Sequence, residues 1–85
     1  MTDQAVEPVA FLTRGLLLAI AHSACAMRRE AHALESDPQF GADNAVGRRL
    51  RPTAEQYRQD ADLIVGWVKR HCASVGLSEE DLPNV

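Results

Sequence analysis

Histidine and cysteine side chains offer the most versatile chemistry in this chain. His22, Cys25 and His32 follow one another at intervals of three and seven residues, and His71 directly precedes Cys72. A tetrahedral metal site requires three or four nitrogen or sulfur ligands that converge on one ion. His22 and Cys25 could share an ion on one helical turn, but His32 lies two turns further on. We therefore expect no metal site.

A cysteine–histidine nucleophile pair is the second chemistry that these residues could support. It would combine Cys25 with His22, or His71 with Cys72. Such a pair also needs an orienting group and oxyanion donors in a concave site. The sequence has no phosphate-binding glycine loop, no paired-carboxylate helix motif and no zinc-finger spacing. We expect neither enzymatic activity nor a cofactor, and we interpret the cysteines as small buried apolar residues.

An arginine-rich group is the third candidate site. The planar guanidinium binds phosphate and carboxylate well, so in a symmetric oligomer such a patch could hold a nucleotide-like anion. The alternative, which we favour, is that these arginines pair with acidic neighbours and keep the surface solvated, since no glycine-rich phosphate loop accompanies them. The candidate anion-binding residues are Arg28, Arg48, Arg49, Arg51 and Arg58.

Length and composition limit what these residues can be part of. The chain has 85 residues, 46% of them hydrophobic and 25% charged, with a net charge of −3. This composition is typical of a globular protein, and the negative balance argues against a general nucleic-acid binder. A domain of this size buries only about 60% of the surface that its unfolded chain exposes. We therefore expect a single domain that completes its core with a partner.

The first predicted element is a long helix from Pro8 to Glu35, ended by Ser36-Asp37-Pro38. Two apolar stripes follow from a rotation of 100° per residue, and two buried faces predict a subunit contact. The predicted core stripe is Val9, Leu12, Leu16, Ile20, Ala24, Met27, Ala31 and Leu34. The second stripe is Phe11, Leu18, His22, Cys25, Arg29 and His32.

A second helix is predicted from Ala54 to Val75, after a connection over residues 36–52 that contains a short turn near Asp43–Arg48. Thr53 and Gln56 have the spacing of a capping box, and Gly76 is a natural left-handed stop. A single turn over residues 78–82 closes the chain. Leu63 and Trp67 begin a second apolar face on this helix.

The cysteines and a weak resemblance to a signal peptide bear on the cellular compartment of the protein. Two cysteines without C-x-x-C spacing favour a reducing compartment. The apolar run Gly15–Ala21 resembles a signal peptide faintly, but acidic residues precede it and it is too short to span a membrane. We predict a cytoplasmic protein with no membrane partner.

These observations favour an all-α antiparallel helical hairpin that dimerises into a four-helix bundle. For function we expect a small non-enzymatic interaction module, a regulator, adaptor or inhibitor. Small acidic helical proteins of phages and mobile elements often act on a host protein complex in this way. The alternative is an oligomer that sequesters an anionic small molecule through the arginines. The predicted partner-binding residues are Phe11, Leu18, His22, Arg29, Leu63 and Trp67.

Overall fold

The computed structural model describes residues 12–83, and within this range it contains helices and no strands. Helix α1 spans Arg14–Glu35 and helix α2 spans Ala45–His71. Two short 3₁₀ helices follow, over Cys72–Val75 and Glu79–Asp81. The predicted all-α fold and helical hairpin are confirmed.

Cross-helix hydrogen bonds show that α1 and α2 run antiparallel. From the start to the end of α1, the bonded residues of α1 have rising numbers and their partners have falling numbers. The three bonded pairs are Arg14 with Gly76, Arg28 with Asp62, and Glu35 with Arg58. The first bond joins the open end of the hairpin, and the last lies next to the connection.

The seam between the two helices is made mainly of small residues. Six of the eight buried positions are alanine or glycine, and they recur at intervals of three, four or seven residues. The buried positions of the two helices are Leu17, Ala21, Ala24 and Ala31 on α1, with Gly47, Ala54, Ala61 and Val68 on α2. Gly47 lies beyond the end of α1 and faces the backbone of the connection at Gln39 and Ala42. Such residues allow helix axes to approach closely, because the distance between packed helices depends on the side chains at their contact. Most larger apolar side chains are therefore left outside the seam.

Larger residues pack together at the open end of the hairpin. Leu17, Val68, Cys72 and Leu77 form a buried cluster with Ala21. Half-buried apolar residues pack against this cluster, namely Leu12, Leu18, Ile20, Ile64, Trp67, Val75 and Leu82. This end therefore contains most of the large apolar contacts in the described part of the chain.

The predicted start and core stripe of the first helix need correction. Thr13 has extended backbone geometry and its hydroxyl oxygen accepts a hydrogen bond from the Leu16 amide, so the helix begins at Arg14. The predicted residues 8–11 lie outside the described range. Leu16, placed in the predicted core stripe, is 49% exposed, whereas its neighbour Leu17 is fully buried. Ala24 and Ala31 of the predicted stripe are fully buried, but the stripe is displaced around the helix from Leu17 and Ala21, because the buried positions are mostly alanines and not the largest apolar side chains.

The predicted start of the second helix was also wrong. Asn44 caps α2, because its side-chain oxygen accepts a hydrogen bond from the Gly47 amide at 2.9 Å. The connection is therefore residues 36–44, and the turn predicted near Asp43–Arg48 is the first turn of α2. Pro52 lies inside this helix, and Thr53 donates its hydroxyl to the Arg49 carbonyl instead of capping. Arg48 and Pro52 are exposed, so water can bind the carbonyl that Pro52 leaves without a donor.

The end of α2 agrees with the stop predicted there. Gly76 has a φ angle of 79°, and the Leu77 amide donates to the Cys72 carbonyl at 2.9 Å. This is the long-range bond of a Schellman arrangement, and Leu77 is buried against Cys72 as that arrangement favours. The regular α-helix ends at His71 and continues as a 3₁₀ helix to Val75, the predicted terminus.

The hairpin is one helix layer thick, since its smallest extent is 14 Å. A helix with its side chains has a diameter of about 10–12 Å, so a single layer of two helices accounts for this thickness. Both broad sides of the layer are therefore surfaces, and they differ in composition.

Candidate functional site

An open apolar groove on one broad side of the hairpin is the candidate site. Ile20 of α1 and Leu63, Ile64 and Trp67 of α2 line this groove, which has a volume of about 240 Å³. Leu63 is 72% exposed and is the most exposed large apolar residue in the described part of the chain. It is therefore a wall of the groove that also projects into solvent. We call this side of the hairpin the groove face.

Helical geometry explains why these side chains share a side. On α1 the buried line through Ala21 and Ala24 points at α2, and Ile20 lies about 70° to one side of the middle of this line. On α2, Ile64 lies next to the buried Ala61 and Val68 on the corresponding side. By the same rotation, Leu16, Met27 and Leu34 extend the groove face along α1.

The groove face lacks charge over the length of the groove. From Gly15 to Met27, α1 has no aspartate, glutamate, lysine or arginine, and the same is true of Leu63–Val68 on α2. The bonds of Arg14 with Gly76 and of Arg28 with Asp62 mark the two ends of this uncharged section. Depletion of charge around aromatic and aliphatic side chains is typical of the centre of a protein–protein interface.

Trp67 is the one tryptophan of the chain, and it has an aromatic neighbour. Its ring centroid lies 4.7 Å from that of His71, with an angle of 46° between the ring planes. The two side chains are one helical turn apart, so α2 itself imposes this contact. His71 limits the positions of the Trp67 ring and leaves it half-buried at the groove.

Ion pairs lie toward the opposite broad side, which we call the charged face. Arg28 donates to Asp62 at 2.6 Å. Arg58 holds Glu35 with two hydrogen bonds, at 2.7 Å from Nε and 2.5 Å from Nη2. Hydrogen bonds from Arg58, together with its positive charge, lower the pKa of the Glu35 carboxyl below its ordinary value. The same hydrogen bonds raise the pKa of Arg58.

The candidate anion-binding arginines do not form one cluster of unengaged guanidinium groups. Arg28 and Arg58 bond to carboxylates on the other helix, and Arg48 pairs with Asp43 at 2.7 Å. Arg51 donates to the backbone carbonyls of Phe40 and Ala42, at 2.8 and 3.1 Å. Arg49 is exposed. Anion binding by this group stays a prediction, and four of its five members already have acceptors within the chain.

The predicted partner-binding residues are divided between different surfaces. Leu63 and Trp67 line the groove. His22 and Arg29 are exposed, and helical rotation places them on the other side of α1 from Ile20. Leu18 is half-buried and packs against the apolar cluster at the open end. Phe11 lies outside the described residues.

Ile20 and Ile64 belong to the groove but are absent from the predicted partner set, and Ile20 is part of the predicted core stripe of the first helix. The signal that could have found them was the pair of uncharged segments on the two helices. Antiparallel pairing brings these segments together, and every large apolar residue that does not fit an alanine-lined seam must then lie on a broad side.

The histidines and cysteines lie within helices rather than around a cavity. Among residues 12–83, no group of three or more His, Cys, Asp or Glu side chains is arranged to hold a metal ion. Cys72 is buried in the apolar cluster, and its thiol lies 3.5 Å from the Lys69 carbonyl. Cys25 is half-buried. The burial of Cys72 fits the interpretation of that cysteine as a small apolar residue.

None of the helices in the described part of the chain combines the length and the apolar character needed to cross a bilayer. No protein-family model matches this sequence, and comparisons with curated proteins and with solved structures gave no match. The groove face is therefore interpreted from its own chemistry.

Proposed function

We propose that this chain is a small non-enzymatic interaction module that acts as a regulator, adaptor or inhibitor by docking on another protein. The groove face carries the proposal, because it combines an exposed leucine, a tryptophan and an apolar cavity within an uncharged section of both helices. Interfaces draw most of their binding energy from a few such residues, tryptophan prominent among them.

We also propose that self-association completes the architecture as a homodimeric four-helix bundle in the cytoplasm. A stable domain packs two layers of secondary structure around one core, and the described hairpin supplies one layer. A second hairpin would add the other layer and cover residues that α1 and α2 leave outside their alanine-lined seam.

Affinity capture from the native host tests the docking proposal. The bait is the wild-type chain, compared with Leu63→Asp and with Ala26→Asp as the matched control. Ala26 is exposed and lies two residues from the buried Ala24, so it points away from α2. We expect wild type and A26D to retain a stoichiometric protein partner, and L63D to lose it. Capture of no specific protein by the wild type would contradict docking.

Binding of an anionic small molecule is the competing function, and the structure gives it less support, since the arginine group is largely engaged within the chain. Arg49 is the member most able to meet a ligand, because it is exposed. A co-purifying phosphate compound, together with thermal stabilisation by phosphate ligands that Arg49→Ala abolishes, would favour this alternative over docking.

A further inference from the structure

We infer that a second copy of this chain occupies the groove face, with Leu63 of each copy inserted into the groove of the other. This inference rests on the proposed function, in which the groove face is a docking surface, and it names the occupant. Three properties of the groove face lead to it: its area, its lack of charge, and the presence of a protrusion and a cavity on the same side.

The area of the groove face matches what a stable dimer needs. Helix α1 has 22 residues and is therefore about 33 Å long, and two adjacent helices are about 20 Å wide. The whole broad side projects to roughly 650 Å², and the uncharged section Gly15–Met27 supplies about 20 Å of its length. Accessible area exceeds projected area. A standard interface buries about 800 Å² on each partner. Two hairpins stacked on their groove faces would thus form an interface of ordinary size.

The lack of charge suits contact between identical surfaces. When a surface meets its own copy about a twofold axis, each charged group near the axis faces a group of the same sign. The groove face avoids this repulsion, because Gly15–Met27 and Leu63–Val68 contain no Asp, Glu, Lys or Arg. The nearest charges on this side are Glu30 and Asp60, beyond the groove toward the connection, and Gln56 donates a hydrogen bond to Asp60.

The protrusion and the cavity make the groove face complementary to itself. Leu63 forms one wall of the cavity and has 72% of its surface exposed, and the other walls are Ile20, Ile64 and Trp67. In a twofold arrangement, a contact from Leu63 of one copy to the groove of the other occurs twice. Both exposed leucines would then be buried, and Trp67 would lose its remaining contact with water.

A second copy also supplies what the hairpin lacks by itself. The seam buries mainly alanine and glycine, so the transfer of large apolar side chains out of water is limited to the open end. Each large side chain buried at the groove face adds to stability in proportion to its area. A copy is present wherever the chain is made, so this second layer does not depend on another protein. A different protein that uses this face has to compete with the copy.

Sedimentation equilibrium of the purified 85-residue chain over a concentration series tests the inference. We expect wild type and A26D to dimerise, and L63D to raise the dimer dissociation constant at least about a hundredfold, because both copies lose a buried leucine and gain a buried charge. The emission of Trp67 should shift to shorter wavelength as wild type dimerises. Circular dichroism establishes that each variant is helical, and Leu63→Ser serves as a milder variant at the same position.

Each outcome supports or overturns the inference. A wild-type chain that stays monomeric overturns it, while the docking proposal survives if capture still yields a partner that L63D loses. A dimer that L63D and L63S leave unchanged overturns the assignment of the groove face. If A26D weakened the dimer as much as L63D does, the inference would also be overturned, because dimerisation would then not depend on the groove face.

Discussion

The two ends of the hairpin are held together by different interactions. The connection end is held mainly by hydrogen bonds. Asn44 caps α2, Arg51 donates to two carbonyls of the connection, and Arg58 forms an ion pair with Glu35. At the open end, a cluster around Leu17 and Val68 buries apolar side chains. The connection end fixes which residues of the two helices face each other, and the open end provides most of the apolar burial.

This difference follows from the residues that the two ends have available. The buried positions near the connection are Ala31, Ala54 and Gly47, which bury little apolar area, and Gly47 faces the backbone of the connection rather than α1. Polar side chains at the margin of the seam then determine the alignment of the helices. Near the open end Leu17, Val68, Cys72 and Leu77 bury larger side chains. We therefore expect substitutions to affect the two ends by different mechanisms and to different extents.

The largest effect should come from Leu17→Ala at the open end. Leu17 is fully buried, and truncation of a buried leucine loses its transfer free energy and leaves a cavity. We expect the free energy of unfolding to fall by about 3 kcal/mol in chemical denaturation at constant protein concentration. The matched control is Leu18→Ala, which removes the same atoms from a half-buried neighbour and should cost less. Equal losses for both variants would show that the cluster is not the main source of apolar stabilisation.

A smaller effect, from overpacking rather than a cavity, is expected from Gly47→Ala at the connection end. A Cβ atom at Gly47 would lie 2.1 Å from the Ala42 carbonyl oxygen and 2.7 Å from that of Gln39. Both obstacles are backbone atoms, so the connection must move away from α2. We expect a loss of about 2 kcal/mol in the free energy of unfolding.

Gly66→Ala is the matched control, because it makes the same change in the same helix. A Cβ at Gly66 would meet only the end of the Arg70 side chain, at 3.5 Å. Alanine is favoured over glycine inside a helix, so this variant should gain about 0.5–1 kcal/mol. If G47A were as stable as G66A, close contact between connection and helix would not be what organises the connection end.

The open end was easier to predict from sequence than the connection end. Gly76 predicts the end of the helix, because few other residues adopt the positive φ angle that a left-handed cap requires. Leu77 follows at the position that packs back on the helix. Thr53 with Gln56, in contrast, has the spacing of a capping box without serving as one. Asn44 caps α2 nine residues before Thr53, and Pro52 is tolerated inside α2 since it is exposed.

The candidate site could be predicted only in part, for a related reason. Leu63 and Trp67 were identified because a second apolar face on a helix needs a covering surface. The predicted core stripe of α1 contains Ala24 and Ala31, which are fully buried, but it omits the buried Leu17 and Ala21, because alanine gives little contrast in a hydrophobic pattern. With the stripe displaced around α1 toward the larger side chains, Ile20 is counted as core and His22 as its opposite. To assign a residue to one broad face or the other, the rotation of each helix about its own axis must be known. A sequence pattern defines this rotation only coarsely.

The smallest effect on the free energy of unfolding should come from substitution of two carboxylates, Glu35 at the connection end and Asp81 at the open end. Their contributions to stability should depend on pH in different ranges. Arg58 lowers the pKa of Glu35 from its ordinary 4.5, and the Ser78 backbone N–H lowers that of Asp81 from its ordinary 3.8. A carboxyl whose folded pKa is depressed stabilises the fold fully above its unfolded pKa, and this contribution is lost as pH falls through the folded value. Glu35→Gln should therefore flatten the decline in unfolding free energy below about pH 4.5, whereas Asp81→Asn should flatten it only below about pH 3.8. Denaturation across an acid pH series measures both. Identical pH profiles of unfolding free energy for the two variants would contradict a different acid response at the two ends. Added salt should reduce the effect of Glu35→Gln, because it screens the exposed ion pair between Glu35 and Arg58.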